Sequence, residues 1–219
     1  MTQSPKLYLS GPDVFLPNAN AIIAVKVKLA QAAGFQVLVP GDDDIAKRTT
    51  TPPVVEASGG ISREIYAFNV AAMREADFAI CQLTPFRGPS ADVGTVFELG
   101  MMIGLGKPVF AYTNSNQPYL ERIGTKIERP GSTPPAWSDV LACSIENFGN
   151  YDNLMLDGAI AASSGGIVAG CVPMAQFYTA TTGFAGCLKA AQLHYGLAAP
   201  AEGAAVGDTT DRPAFAFDH

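Results

Sequence analysis

The stretch 93–106 leaves a chain of this kind few ways to fold. It reads Val-Gly-Thr-Val-Phe-Glu-Leu-Gly-Met-Met-Ile-Gly-Leu-Gly and carries a single charge, Glu98. A helix that is apolar on all sides belongs in a core or between subunits. Glu98 is therefore expected to be a buried carboxylate, which is costly unless it is paired or hydrogen-bonded, and which is for that reason a candidate for chemistry. Asp92, just ahead of the run, has the side chain of an N-cap and the charge that suits the positive end of the helix dipole. Helical side chains lean toward the N-terminus, so Glu98 is expected over the turn of Gly94 and Thr95. Gly94 offers no side chain there, and a small ligand would reach the carboxylate from the helix mouth. The plain alternative is a cap and an internally hydrogen-bonded acid.

The flanking sequence supplies the layers that such a helix needs. Residues 6–10, Lys-Leu-Tyr-Leu-Ser, read as a strand ended by Gly11-Pro12, and 18–33 has helical composition stopped by Gly34. Residues 35–39 form a short apolar run of the kind found in a parallel strand buried on both faces, closed by Pro40-Gly41. The polar stretch 41–60, with Asp42-Asp43-Asp44, reads as a long loop of the lid or binding type, its acids solvated. A helix from an N-cap at Ser62 to Ala76, a third strand over 77–83, the turn-rich loop 84–89, a fourth strand over 107–112 and a fifth over 140–145 follow. Residues 113–139 read as irregular. Helices are expected again over 153–162 and 186–195, with a small-residue stretch between them. Alternating strands and helices give a parallel sheet covered on both faces, with its ligand site at the carboxyl ends of the strands. The expected organisation is a main α/β domain over 1–163, a helical extension over 164–195 packed on it, and an Ala/Gly/Pro-rich, loosely ordered tail over 196–219.

Composition narrows the function. The 219 residues, 48% hydrophobic and 16% charged with a net charge of −6, suit one compact enzyme domain with no basic patch for nucleic acid. Low charge with many Ala, Gly and Met residues points to apolar surface covered by other subunits. Cys81, Cys143, Cys171 and Cys187 have no metal-ligand spacing, and only His194 and His219 accompany them, so neither a zinc site nor a Cys–His pair is expected, and the Asp42–Asp44 triplet, with no further ligands spaced around it, reads as solvated acids rather than as a metal site. No signal-peptide pattern and no apolar run of membrane length occur, which reads as a cytoplasmic protein with free, mostly buried thiols, acting at neither membrane nor nucleic acid. No G-x-G-x-x-G follows the first strand and no nucleophile elbow occurs. Carboxylate chemistry without a cofactor remains.

Four segments, in order, carry a resemblance: Tyr8-Leu9-Ser10-Gly11-Pro12-Asp13-Val14-Phe15, Leu83-Thr84-Pro85-Phe86-Arg87-Gly88-Pro89, Asp92-Val93-Gly94-Thr95-Val96-Phe97-Glu98-Leu99-Gly100 and Asn153-Leu154-Met155. Together they resemble the nucleoside 2-deoxyribosyltransferases. The resemblance implies a flavodoxin-like, doubly wound five-stranded parallel sheet and exchange of the base of 2′-deoxyribonucleosides, with retention, through a covalent deoxyribosyl-Glu98 intermediate. It makes Glu98 the nucleophile, Tyr8 the residue that orients it and Asp92 the holder of a sugar hydroxyl. Phe15 would wall the pocket, with Gly11 and Asp13 at its rim. Asn153 and Met155 match positions that members donate to a neighbouring subunit's site, which implies a homo-oligomer built from dimers, often a hexamer.

The sequence departs from the family pattern in three places. Asn69 stands where many members place an aspartate near the base, and an amide hydrogen-bonds a base but is a poor proton donor. This leaves the general acid open between Asp77, whose place at a helix-to-strand junction reads as a structural turn, and Asp13. Ala91 replaces a common proline, and the chain extends past about 163. An alternative activity is hydrolysis of a deoxynucleoside or its 5′-monophosphate, with Ser90, Arg87 and Ser10 available for phosphate, although Asp92 would repel that phosphate. A non-catalytic nucleotide sensor is the remaining alternative.

Overall fold

The computed structural model describes residues 3–39, 60–133 and 135–197. The acid triplet, all of the expected lid loop (41–60) but Gly60, which is already helical, and the tail from 198 onward lie outside them. The central sheet is built of β1 (Lys6–Ser10), β2 (Gln36–Leu38), β3 (Phe78–Gln82), β4 (Val109–Thr113) and β8 (Val168–Ala169), in the order β2-β1-β3-β4-β8 and parallel throughout. It is the doubly wound arrangement that the alternating pattern predicts.

Strand alternation sorts the core into two layers. Leu7 and Leu9, Phe78 and Ile80, and Phe110 and Tyr112 point to one face, where α1 (Ala19–Ala32) and α6 (Thr182–Tyr195) cover them through Ala30, Phe184, Leu188 and Ala191. Tyr8, Ala79, Cys81, Val109 and Ala111 point to the other, under α2 (Gly60–Glu75), α3 (Val93–Gly104) and α5 (Leu154–Ser164). Leu99 and Met102 of α3 pack onto that second face. On the first face α6 comes so close that a Cβ on Gly183 would stand 2.7 Å from the Tyr112 ring.

Several expectations are corrected. The fifth strand of the main sheet is β8 and not 140–145. Residues 139–143 instead close a tight turn in which the Asp139 carboxylate accepts from the backbone N–H groups of Leu141 and Cys143, 2.9 Å each. Val140 and Leu141 are left in solvent, and only Ser144–Ile145 (β7) pairs, as the edge of a small antiparallel sheet with β5 (Ile127–Arg129) and β6 (Ala136–Ser138). The stretch 113–139 is thus partly regular, and also holds the single turn α4 (Tyr119–Arg122). Ser62 lies inside α2, which already runs at Gly60, and is not its cap. Cys81 and Cys187 are buried but Cys143 and Cys171 are exposed, so the thiols are half buried rather than mostly so. Helix α3 buries Thr95, Leu99 and Met102, while Val93 and Phe97 remain 84% and 53% exposed in the single chain.

Candidate active site

The sheet order reverses between β1 and β3, and an open α/β sheet has its binding crevice at such a point, beyond the carboxyl ends of the strands. Tyr8 and Ser10 leave β1 toward α3 because both sit on the same phase of the strand. Their hydroxyls donate to the two oxygens of Glu98: Tyr8 Oη to Oε1 at 2.8 Å and Ser10 Oγ to Oε2 at 2.5 Å. Asn69, from α2, brings its Nδ2 to 3.4 Å from the same Oε1. Glu98 itself is half-buried. Burial pushes its carboxyl above the ordinary range and the nearby Asp92 adds to this, while the bonds from Ser10 and Tyr8 pull it back. Burial, with the Glu98 charge beside it, drives the Tyr8 phenol far upward, so Tyr8 remains a donor.

Asp92 caps α3. Its Oδ2 accepts from Thr95 N at 2.9 Å and Thr95 Oγ1 at 3.1 Å, as its side chain and position predict. What sets Asp92 in space is farther away in sequence. Asp152 Oδ2 accepts from Ala91 N at 2.9 Å, Arg122 Nη2 lies 3.6 Å from the same oxygen, and Arg122 Nε donates to Pro89 O at 2.7 Å. The loop before α3 is thereby tied to the segment that starts α5. Asn153 caps α5, accepting from Met155 N at 3.0 Å and donating through Nδ2 to Glu146 Oε1 at 2.7 Å. Met155 is 69% exposed.

After β1 the chain turns through the short 3-10 helix Pro12–Phe15. Gly11 lies against Gln82, where a Cβ would meet the Gln82 Cβ at 3.0 Å. Asp13 is buried and ion-paired with Lys26 of α1, itself buried, which also donates to Gln82 Oε1 at 2.9 Å. Burial lowers the Lys26 pKa, with Asp13 opposing. Phe15, half-exposed, stacks on Phe86 with centroids 5.4 Å apart. Asp77 stands at the amino end of β3, where Oδ2 accepts from Lys6 N at 2.7 Å, so it lies at the opposite end of the strands from Glu98 and is a structural turn residue.

Sequence reasoning did not assign Ser10 to Glu98, nor find Lys26, Arg122 or Asp152. Ser10 was within reach, since strand phase alone puts it beside Tyr8. The other three act across 13 to 61 positions of sequence and leave no local signal.

A doubly wound sheet with a hydroxyl-clamped carboxylate at its switch point defines an α/β protein equipped for carboxylate chemistry. Comparison with known proteins carries this further: the family model for nucleoside 2-deoxyribosyltransferases matches residues 7–155, and the chain belongs to that family of pentosyltransferases. A 2-deoxyribosyltransferase from Leishmania mexicana is similar in structure, with a TM-score of 0.50 and 28% identity, over 69% of this chain and 85% of that one. An uncharacterised protein of Schizosaccharomyces pombe is 30% identical over 162 residues, which are 74% of this chain and 72% of its own.

Proposed function

We propose that the protein exchanges the base of 2′-deoxyribonucleosides, taking a free nucleobase as acceptor and needing no cofactor. The observation that carries this reading is the Glu98 carboxylate, held at both oxygens by Tyr8 and Ser10 at the carboxyl edge of the sheet. Two fixed donors remove its rotational freedom and keep it aimed as a nucleophile must be. In the first half-reaction a Glu98 oxygen bonds to the anomeric carbon as the glycosidic C–N bond breaks. The bonding pair leaves with the base nitrogen, which takes a proton from water. In the second, a nitrogen of the acceptor base attacks the same carbon, gives its proton to water and displaces Glu98. Two inversions give net retention, through transition states with oxocarbenium character.

The other residues have matching tasks. Asp92 keeps Oδ1 clear of its capping bonds, which both use Oδ2, and would receive a sugar hydroxyl. The Asn69 amide would hydrogen-bond the base. Asp13 and Gly11 shape the turn that carries Phe15 to the pocket wall. Ser10, which a phosphate-binding hydrolase would want at the mouth, has its hydroxyl committed to Glu98, and this favours the unphosphorylated nucleoside. Asn153 and the exposed Met155 would complete the site of a second copy in a dimer-based homo-oligomer.

The test is incubation with deoxyinosine or thymidine, with and without adenine, followed by chromatography. Deoxyadenosine formed only with adenine is the expected result. Free base and deoxyribose at equal rates in both tubes would make the protein a hydrolase. Glu98→Ala should lower turnover roughly a thousandfold or more while nucleoside binding persists; unchanged turnover would sink the assignment of the nucleophile.

A further inference from the structure

Residues 173–181 lie beyond the part of the chain that the family model matches, and they cross the carboxyl ends of β3 and β4. Three polar side chains fasten them. Asn114, just after β4, donates through Nδ2 to Phe177 O at 3.0 Å and Ala180 O at 3.2 Å; Gln82, at the end of β3, reaches Tyr178 O at 3.5 Å; and Tyr178 Oη donates to Pro85 O at 2.8 Å. The Tyr178 ring also meets Phe86 edge-on, with centroids 5.7 Å apart.

The segment holds Pro85 and Phe86, the residues that lead into Arg87. Arg87 has a left-handed backbone, φ 58°, in a residue other than glycine. Such a conformation is strained outside glycine and persists only where the surroundings over-determine it. Its guanidinium lies 4.7 Å from the Phe86 centroid and 4.9 Å from that of Phe15, and no carboxylate pairs with it among the described residues. Phe15 is half-exposed and Arg87 exposed, and the turn that carries Phe15 starts at Ser10, the residue bonded to Glu98. The exposed side of the Phe15–Phe86 stack and the planar Arg87 cation beside it make a ledge suited to a flat, electron-rich heterocycle. The bond to the Pro85 carbonyl and the ring contact with Phe86 hold the strained turn from behind.

We propose that residues 176–180 form a strap that fixes the Phe15–Phe86–Arg87 ledge for binding the nucleobase, with Tyr178 as the positioning residue. This inference rests on the base-exchange reading above. Tyr178 touches no reacting atom; it acts through Phe86 and Arg87. The extension is thus part of the substrate site, and it sets base affinity rather than the chemistry at Glu98.

Two readouts test it. In the exchange reaction, Tyr178→Ala should raise the acceptor-base KM about tenfold, the loss expected from one hydrogen bond and one aromatic contact, and Tyr178→Phe, which keeps the ring, about threefold. Neither should change kcat. In a Glu98→Ala background, calorimetry with deoxyinosine and thymidine should show the same ordering in Kd. A merely structural strap would lower the thermal midpoint and kcat with KM unchanged, and that result overturns the proposal. If Tyr178→Ala does not fold, Tyr178→Phe decides by the same criterion. Nucleoside binding that both variants leave intact sinks the strap alone; no nucleoside bound by the parent sinks the functional reading and the strap with it.

Discussion

At the scale of single residues, the carboxylate of Glu98 is pulled two ways. Burial favours its neutral form, whereas the donors Ser10 and Tyr8 favour the ion. In the proposed mechanism the attacking form is the ion, so activity should rise as pH rises through the folded pKa, and the acid limb should lie above the ordinary carboxylate value of 4.5. Ser10→Ala removes a bond made to the ion and should move that limb further up; a limb that stays in place or moves down, measured as kcat/KM against pH, would count against the clamp. Asp13 and Lys26 are the second residue-scale case. Truncating one partner of a buried pair strands the other, at a cost of about 3–5 kcal/mol. Lys26→Met should therefore lower stability by that order in denaturant unfolding, and the Lys26→Met/Asp13→Leu double variant should recover most of it. Asp92 and Glu98 were legible in the sequence because capping and the lone charge in an apolar run are local signals. Lys26, Arg122 and Asp152 were not, because their partners are brought together only by the sheet.

At the scale of elements, the first three strands and their helices follow from local pattern, and the boundaries differ by a residue or two. Residues 140–145 misled because their apolar content resembles a strand, while Asp139 turns the chain over 139–143 and leaves only Ser144–Ile145 to pair. The true fifth strand is two residues long, preceded by Gly165 and Gly166 at φ 91° and 143°, and carries too little periodicity to be read. Helix α6 is positioned by a close approach: the Tyr112 ring occupies the space that a side chain at 183 would need. Gly183→Ala should lower stability by about 1–3 kcal/mol, the usual cost of overpacking, seen as a reduced denaturation midpoint with an unchanged m-value. A neutral result would mean that α6 shifts freely on β4.

At the scale of the whole molecule, α3 raises the question of partners. Phe97 is 53% exposed and meets Tyr66, itself 58% exposed, at 6.3 Å between ring centroids, so an apolar strip runs between α2 and α3 in the single chain. Exposed apolar strips of this kind mark interaction sites, and a second copy that supplies Asn153 and Met155 would cover it. Phe97→Glu should shift the protein to a smaller species in sedimentation velocity and lower exchange activity with it; a parent protein that already sediments as a monomer would rule this out. By itself the sequence determined the alternation of strands and helices, the capped apolar helix and the acid within it, because those are set by neighbours within a few turns of chain. Only the tertiary structure decided that Ser10 shares the clamp on Glu98, that Lys26 and Arg122 hold the surrounding loops, and that 168–180 returns to finish the sheet and brace its rim. Those contacts join residues tens of positions apart, and no local periodicity encodes which of them meet.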